Sequence, residues 1–223
     1  MGDAIGQVLP LAVGVALSPV PIIAVVLMLG TPRARGNGLA FLAGWIVGLT
    51  IVTTIVVVAA GGAGAEDNSE PATWASVLKI VLGVLLLVVA VRQWRSRPGA
   101  DAEPELPKWM KTIDTFTPGR SLAISAALAG VNPKNLLLAV SAGATIAATG
   151  VDTGGQVAAV AVFVLIGTLG PGIPVAVYFA MGKRAAHVLE EMKTWMAANN
   201  VAIMAVLCLV IGAKLIGDGV SGL

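Results

Sequence analysis

Two short proline-containing motifs hold the side chains of this sequence that could do chemistry in an apolar setting. The stretches 18–21 (Ser-Pro-Val-Pro) and 132–135 (Asn-Pro-Lys-Asn) each interrupt a long apolar run. Proline lacks a backbone N–H and disfavours helical geometry in the preceding residue, so each motif predicts a broken helix. The backbone groups freed by such breaks need partners within the protein or in a water-lined cavity. Two breaks at similar depth therefore predict a polar substrate site.

Lys134 is the most informative of these side chains. It lies about fourteen positions past Arg120 and deep in an apolar segment, where a charge costs at least about 2.5–3.5 kcal/mol. We expect its ammonium to pair with an anionic substrate group or to bond to carbonyls released by the breaks. The predicted substrate-binding residues are Ser18, Pro19, Pro21, Asn132, Pro133, Lys134 and Asn135.

The apolar segments contain no deep Asp or Glu. Cation carriers and carboxylate-based proton relays normally use such acids. The sequence therefore disfavours a metal or cation transporter.

A second irregular stretch, 167–174, contains three glycines and two prolines. Such crowding predicts that this stretch is not an undisturbed helix. We expect Gly170, Pro171, Gly172 and Pro174 to form a hinge or gate, with close packing of another helix as the alternative.

Composition places all these residues in a membrane protein. The chain is 57% hydrophobic and 12% charged, with a mean hydropathy of +0.91, whereas soluble domains carry about 25% charged residues. Segments long enough to cross about 30 Å of hydrocarbon fall at 4–29, 38–60, 76–93, 122–149, 155–181 and 201–217.

Charge predicts how these six helices are oriented. Most Lys and Arg residues fall in the loops that join span 1 to span 2, span 3 to span 4, and span 5 to span 6. These three loops share one face of the membrane. The opposite face holds the acidic residues Asp3, Glu66, Asp67, Glu70, Asp152 and Asp218. The positive-inside rule then predicts a multi-pass protein of the inner (plasma) membrane, with both termini outside and the basic loops in the cytoplasm.

Two segments outside the six spans have an amphipathic pattern. Trp109, Ile113 and Phe116 recur at helical spacing in the linker 94–120. In segment 183–199, Val188, Met192 and Trp195 share a helix face. Both patterns are typical of helices that lie on a membrane surface.

An internal repeat relates the two halves of the chain. A shift of 122 residues aligns Phe41 with Phe163 and Gly48 with Gly170, and it also aligns 85–92 with 207–214. Because each half has three spans, the second half inserts inverted, as in many transporters. We therefore predict an all-α integral membrane protein with two inverted three-helix repeats, 1–93 and 121–223, joined by a cytoplasmic linker at 94–120, with helices 1 and 4 broken.

Several function classes find no support in the sequence. The single His187, the single Cys208 and the lack of paired carboxylates at membrane depth provide no catalytic set and no metal or cofactor site. A net charge of +2 is too small for a nucleic-acid-binding surface. We expect a protein that is not an enzyme, needs no cofactor and has membrane lipids as partners, with homo-oligomer formation left open.

These motifs and the three-plus-three plan resemble the lysine-exporter (LysE) superfamily, and within it most closely the actinobacterial GAP branch of glycopeptidolipid- and sulfolipid-addressing proteins. The resemblance implies outward movement of small molecules or envelope lipids along a path lined by the two motifs. Amino-acid exporters of the superfamily usually carry Pro-Gly-Pro in the first helix, and Val20 here replaces the glycine. This departure makes an amino-acid substrate less favoured.

Three functions follow from this pattern. The first is a carrier that exports or flips an anionic amphiphile, such as an envelope glycolipid or its precursor, by alternating access. The second is an exporter of an amino acid or a similar small solute. The third is a non-transporting scaffold that recruits enzymes of envelope-lipid synthesis through the segments 105–120 and 183–199.

Overall fold

The structure, a computed structural model, describes residues 1–63, 73–96 and 108–223, and nearly all of them are helical. Two 3₁₀ helices, Lys108–Thr115 and Gly182–Arg184, accompany the α-helices. In chain order the α-helices of the described residues are α1 (Gly2–Ala16), α2 (Pro19–Leu29), α3 (Ala34–Ala63), α4 (Thr73–Arg95), α5 (Pro118–Gly130), α6 (Pro133–Ala148), α7 (Thr153–Met181) and α8 (Ala185–Val220).

The apolar helices are those of a membrane protein. Helices α3, α4, α7 and α8 are each long and apolar enough to cross a bilayer. The pairs α1–α2 and α5–α6 pass the same test only together, and they bend by 50° and 64° at their breaks. The described chain thus has four candidate spans, or six if each bent pair is one span. The predicted breaks in the first and fourth segments are confirmed.

Proline and the residue before it explain both breaks. Ser18 and Asn132 have extended backbone conformations, with ψ of 108° and 121°. Pro19 and Pro133 then occupy the first turn of a new helix, where a missing N–H costs nothing. In the second break the Asn132 side chain also accepts a hydrogen bond from the Lys134 backbone N–H, at 3.2 Å. Each motif therefore ends one helix and begins the next.

Glycines bring several helices into close contact. A Cβ on Gly48 of α3 would lie 2.8 Å from the Ala126 carbonyl oxygen of α5. Helices α4 and α8 cross where Gly83 and Gly212 meet, since a Cβ on either glycine would lie within 3 Å of the other's carbonyl oxygen. Small residues allow such close packing in membrane proteins. Gly48 therefore lets α3 pack directly on α5, and Gly83 and Gly212 do the same for α4 and α8.

Helix α7 is continuous, so the prediction of a disturbed helix at 167–174 is wrong. It runs through Pro171 and Pro174 from Thr153 to Met181. Pro171 cannot donate to the carbonyl of Gly167 four residues earlier. The indole Nε1 of Trp45, a fully buried residue, donates to that carbonyl at 3.1 Å. A donor on a neighbouring helix thus satisfies the group that the proline leaves free.

The predicted surface helix at 183–199 is not a separate element. Residues 185–199 belong to α8, a single helix of 36 residues, and residues 183–184 belong to the short 3₁₀ helix before it. Trp195 on this helix is exposed, in keeping with an interfacial position.

The linker segment also differs from its prediction. Ile113 and Phe116 are buried, at 3% and 5% exposure, in a segment that packs against α2. The Phe116 carbonyl accepts a hydrogen bond from Nδ2 of Asn37 at 3.1 Å. This segment therefore packs into the helix bundle, because the bundle offers its apolar side chains a better-packed partner than lipid. Some predictions fall on parts of the chain that the structure does not describe: the side chain of Trp109, the linker residues 97–107, and the acidic residues Glu66, Asp67 and Glu70.

Candidate functional site

Lys134 is buried between the two helix breaks. Its side chain stands in the first turn of α6 and is 1% exposed. Its Nζ donates a hydrogen bond to Oγ of Ser18, at 3.3 Å. Ser18 caps the start of α2 and is 2% exposed. The two motifs that the sequence singled out therefore meet in space.

Asn135 joins both motifs to the end of α5. Oγ of Ser18 donates to Oδ1 of Asn135 at 3.2 Å, and Nδ2 of Asn135 donates to the Leu128 carbonyl at 3.1 Å. Helix α5 ends at Gly130, so the Leu128 carbonyl lacks the helical partner that residue 132 would supply. The Asn135 amide thus satisfies a backbone group that the break releases, as buried polar groups require.

The charge of Lys134 is not balanced by an acid in the described residues. The ion pairs there are His187–Glu191, Lys193–Glu190 and Lys214–Asp218, and none involves Lys134. An ammonium has three N–H donors, and one of them bonds to Ser18. Among the described residues, the buried thiol of Cys208 on α8 is a titratable group near it. The Lys134 ammonium can therefore donate further hydrogen bonds to an acceptor.

Two helix N-termini add to this positive character. Helices α2 and α6 both begin at the site, and the Ser18–Asn135 hydrogen bond holds their first turns side by side. The N-terminus of a helix carries a partial positive charge. Few first-turn N–H groups are free here, because Pro19, Pro21 and Pro133 have none and the Lys134 N–H bonds to Asn132. Together with the Lys134 ammonium, the paired N-termini form an electropositive centre that suits an anion.

The remaining predicted site residues lie around this centre. Pro19 and Pro21 are buried in the first turn of α2, whereas Pro133 is exposed. Asn132 is half-buried and lines a shallow depression of about 320 Å³ with Ile124 and Leu128 of α5. Ser18, Lys134 and Asn135 therefore form the hydrogen-bonded cluster, and Asn132 lies at its edge.

The predicted hinge borders the same centre through Gly170. A Cβ on Gly170 would lie only 2.0 Å from the Ala16 carbonyl oxygen, at the end of α1. Pro171 and Pro174 are buried in α7, while a Cβ on Gly172 would meet only Cγ2 of Thr168, at 4.0 Å. The structure thus places α7 directly against the first break, and the role of this stretch as a hinge stays a prediction.

Comparison with known proteins identifies the family. The family model described as Sap, sulfolipid-1-addressing protein, matches residues 8–221. The chain belongs to the sulfolipid-1-addressing protein family. No curated protein and no solved structure matches it. The matched residues include both helix breaks and the Ser18–Lys134–Asn135 cluster. Membership of the wider lysine-exporter superfamily stays a prediction.

Sequence reasoning missed Trp45 in this member of the sulfolipid-1-addressing family. Trp45 stacks on Phe41, with ring centroids 6.4 Å apart, and both are fully buried. A signal was present, because Pro171 within a helix requires a donor for the Gly167 carbonyl. Trp45 and Gly167 are also 122 residues apart, the same shift that relates the two halves of the sequence. This equal spacing is a second signal that could have suggested the contact between Trp45 and Gly167.

Proposed function

We propose that this protein exports or flips an anionic amphiphile, an envelope glycolipid or its precursor, and holds its anionic group at Lys134. The observation that carries the proposal is a buried ammonium with one hydrogen bond and no acidic partner among the described residues. Intramembrane ionisable groups of this kind generally mark substrate pathways. An anion bound there supplies the counter-charge and accepts the remaining N–H groups.

The family supports the choice of cargo. Its name refers to the addressing of a sulfolipid, and a sulfate group is a permanent anion with several acceptor oxygens. Such a group matches an ammonium flanked by two helix N-termini, which favour oxyanions. Transport of a lipid also agrees with helices whose outer faces carry many exposed apolar side chains.

Transport by alternating access requires two parts that can move against each other. We propose two inverted repeats, each with one broken and two continuous spans, and with both termini outside. The contacts agree with an inverted repeat, because α1 contacts α7 as α5 contacts α3, and α2 contacts α8 as α6 contacts α4. Each broken helix thus packs mainly on the other half of the chain. Rocking of the halves would expose the centre between α2 and α6 to either side.

Movement of a labelled lipid across a bilayer tests the proposal. The purified protein is reconstituted into liposomes with a fluorescent sulfogalactosyl lipid, and its transbilayer movement is followed by chemical quenching. The uncharged galactosyl lipid with the same acyl chains serves as the substrate control. Lys134→Met removes the charge at nearly constant volume, and Lys79→Met, a lysine of α4, is the matched control variant.

We expect protein-dependent movement of the sulfated lipid that Lys134→Met abolishes and Lys79→Met preserves. Movement that is equal for the two lipids, or unchanged in Lys134→Met, contradicts the proposed role of the charge. Efflux of a loaded amino acid, with no lipid movement, would instead support the small-solute exporter.

A further inference from the structure

A second cleft lies at the far end of α2 from Lys134. It has a volume of about 500 Å³, within the range of small-molecule sites. The end of α2, the start of α3, the end of α7 and the start of α8 enclose it.

The walls of this cleft are amphiphilic. Val26, Leu29 and Leu189 are buried core residues that present an apolar surface to it. Arg35 and the Tyr178 ring stand at its polar side, and Arg35 is exposed. A lining that combines apolar side chains with polar groups suits a ligand that has both an apolar body and a polar head.

Arg35 supplies a positive charge to the lining of the cleft. Glu190 also lines it, but its carboxylate pairs with Nζ of Lys193 at 2.6 Å. Arg35 takes part in none of the ion pairs of the described chain. Its guanidinium can therefore bind an oxyanion bidentately, while the Glu190 charge is already offset.

The chain turns sharply at Gly182, which lines the cleft. Gly182 ends α7 with a φ of +55°, and a Cβ there would meet no atom within 4 Å. Such a conformation favours glycine. The turn separates α7 from α8 and leaves the cleft open between them.

One helix connects this cleft to the buried lysine. Helix α2 begins beside Lys134 at Pro19 and ends at Leu29, which lines the cleft. Its 11 residues span about 16 Å at 1.5 Å per residue, roughly half the thickness of a hydrocarbon core. The cleft is thus placed where the headgroups of one leaflet lie if Lys134 is near the midplane.

We propose that this cleft is a separate loading site for the same class of cargo, an anionic lipid whose headgroup binds Arg35 before it reaches Lys134. The inference rests on the proposed function for the identity of the cargo. Charge complementarity to Arg35 and the mixed lining select an anionic amphiphile over a soluble solute, which would not use the apolar walls.

Binding measured without the buried lysine isolates this cleft. The Lys134→Met protein in detergent micelles is titrated with the fluorescent sulfogalactosyl lipid, and anisotropy reports binding. Arg35→Gln is added to that background. Arg33→Gln, an exposed arginine in the turn before α3 that does not line the cleft, is the matched control. Ala186→Trp is a second variant, because it fills the cleft without changing any charge.

We expect saturable binding to Lys134→Met that Arg35→Gln weakens about tenfold, the effect of losing a charged hydrogen bond. Arg33→Gln should bind as its parent does, and Ala186→Trp should bind weakly. Equal affinity with and without Arg35, or equal losses in Arg35→Gln and Arg33→Gln, overturns the loading site. Because Lys134 is already absent, this result is independent of whether Lys134 itself carries cargo.

Discussion

Nζ of Lys134 and Oγ of Ser18 lie 3.3 Å apart although the two residues are 116 positions apart in the sequence. This hydrogen bond joins the starts of α2 and α6, so the two helix breaks form one site rather than two separate kinks. The ammonium at their junction has no acidic partner among the described residues. A buried charge without an acidic partner is unfavourable for folding, but it can bind an anion.

The first prediction concerns the stability of the Lys134→Met variant. Burial of a charge with a single hydrogen bond is unfavourable, and its replacement by an apolar side chain of similar size is often neutral or stabilising. We expect a thermal unfolding temperature in detergent equal to or above that of the parent. A drop of many degrees would mean that Lys134 holds the helices together and would weaken its assignment to substrate binding.

The second prediction concerns Ser18→Ala, which removes the link between the two breaks. The change takes away the acceptor of Lys134 and leaves Oδ1 of Asn135 without its donor. Loss of partners for buried polar groups costs about 1–3 kcal/mol. We expect a lower unfolding temperature, measured beside Ser221→Ala, whose exposed hydroxyl bonds only to the Gly217 carbonyl. Equal stability of the two variants would show that the link contributes little.

The third prediction compares two glycines of the proposed hinge. In Gly170→Ala the new Cβ would lie 2.0 Å from the Ala16 carbonyl oxygen, whereas in Gly172→Ala its nearest atom is Cγ2 of Thr168, at 4.0 Å. We expect Gly170→Ala to destabilise the protein by about 1–3 kcal/mol or more through overpacking. Gly172→Ala should be neutral or slightly stabilising, because alanine favours a helix. The fraction that remains monodisperse in size-exclusion chromatography after heating would distinguish them.

The fourth prediction concerns Trp45→Phe. Phenylalanine keeps most of the stacking on Phe41 but cannot donate to the Gly167 carbonyl that Pro171 leaves free. An unsatisfied buried carbonyl costs about 1–3 kcal/mol, so we expect α7 to be less stable near residue 167. Hydrogen exchange of the peptide that contains residues 167–171 measures this, with Trp195→Phe as the exposed control. Unchanged protection in Trp45→Phe would contradict the account.

Much of the site could be predicted from the sequence because its signals are local. Proline fixes the backbone of its own motif and of the preceding residue, so the breaks at Pro19 and Pro133 follow without knowledge of the fold. Lys134 stands out because a charge in an apolar run is costly wherever the neighbouring helices lie. The sequence places both motifs at similar depth, but it does not predict that the Ser18 hydroxyl bonds to Asn135.

The errors arose where a distant residue decides the local structure. Pro171 and Pro174 predict a disturbed helix, but α7 continues through both, and Trp45 on another helix bonds to the Gly167 carbonyl that Pro171 leaves free. Ile113 and Phe116 have the spacing of a membrane-surface helix, yet the bundle buries them. No local pattern reports whether lipid or protein covers an apolar face.

Native mass spectrometry with lipid identification tests the central claim most directly. The parent protein and Lys134→Met are purified gently from the same membranes, and the lipids that stay bound are released and identified. We predict that the parent retains a defined anionic lipid and that Lys134→Met loses it, while Lys79→Met retains it. If the parent and Lys134→Met retain the same lipids, Lys134 does not hold an anionic cargo and the account is wrong.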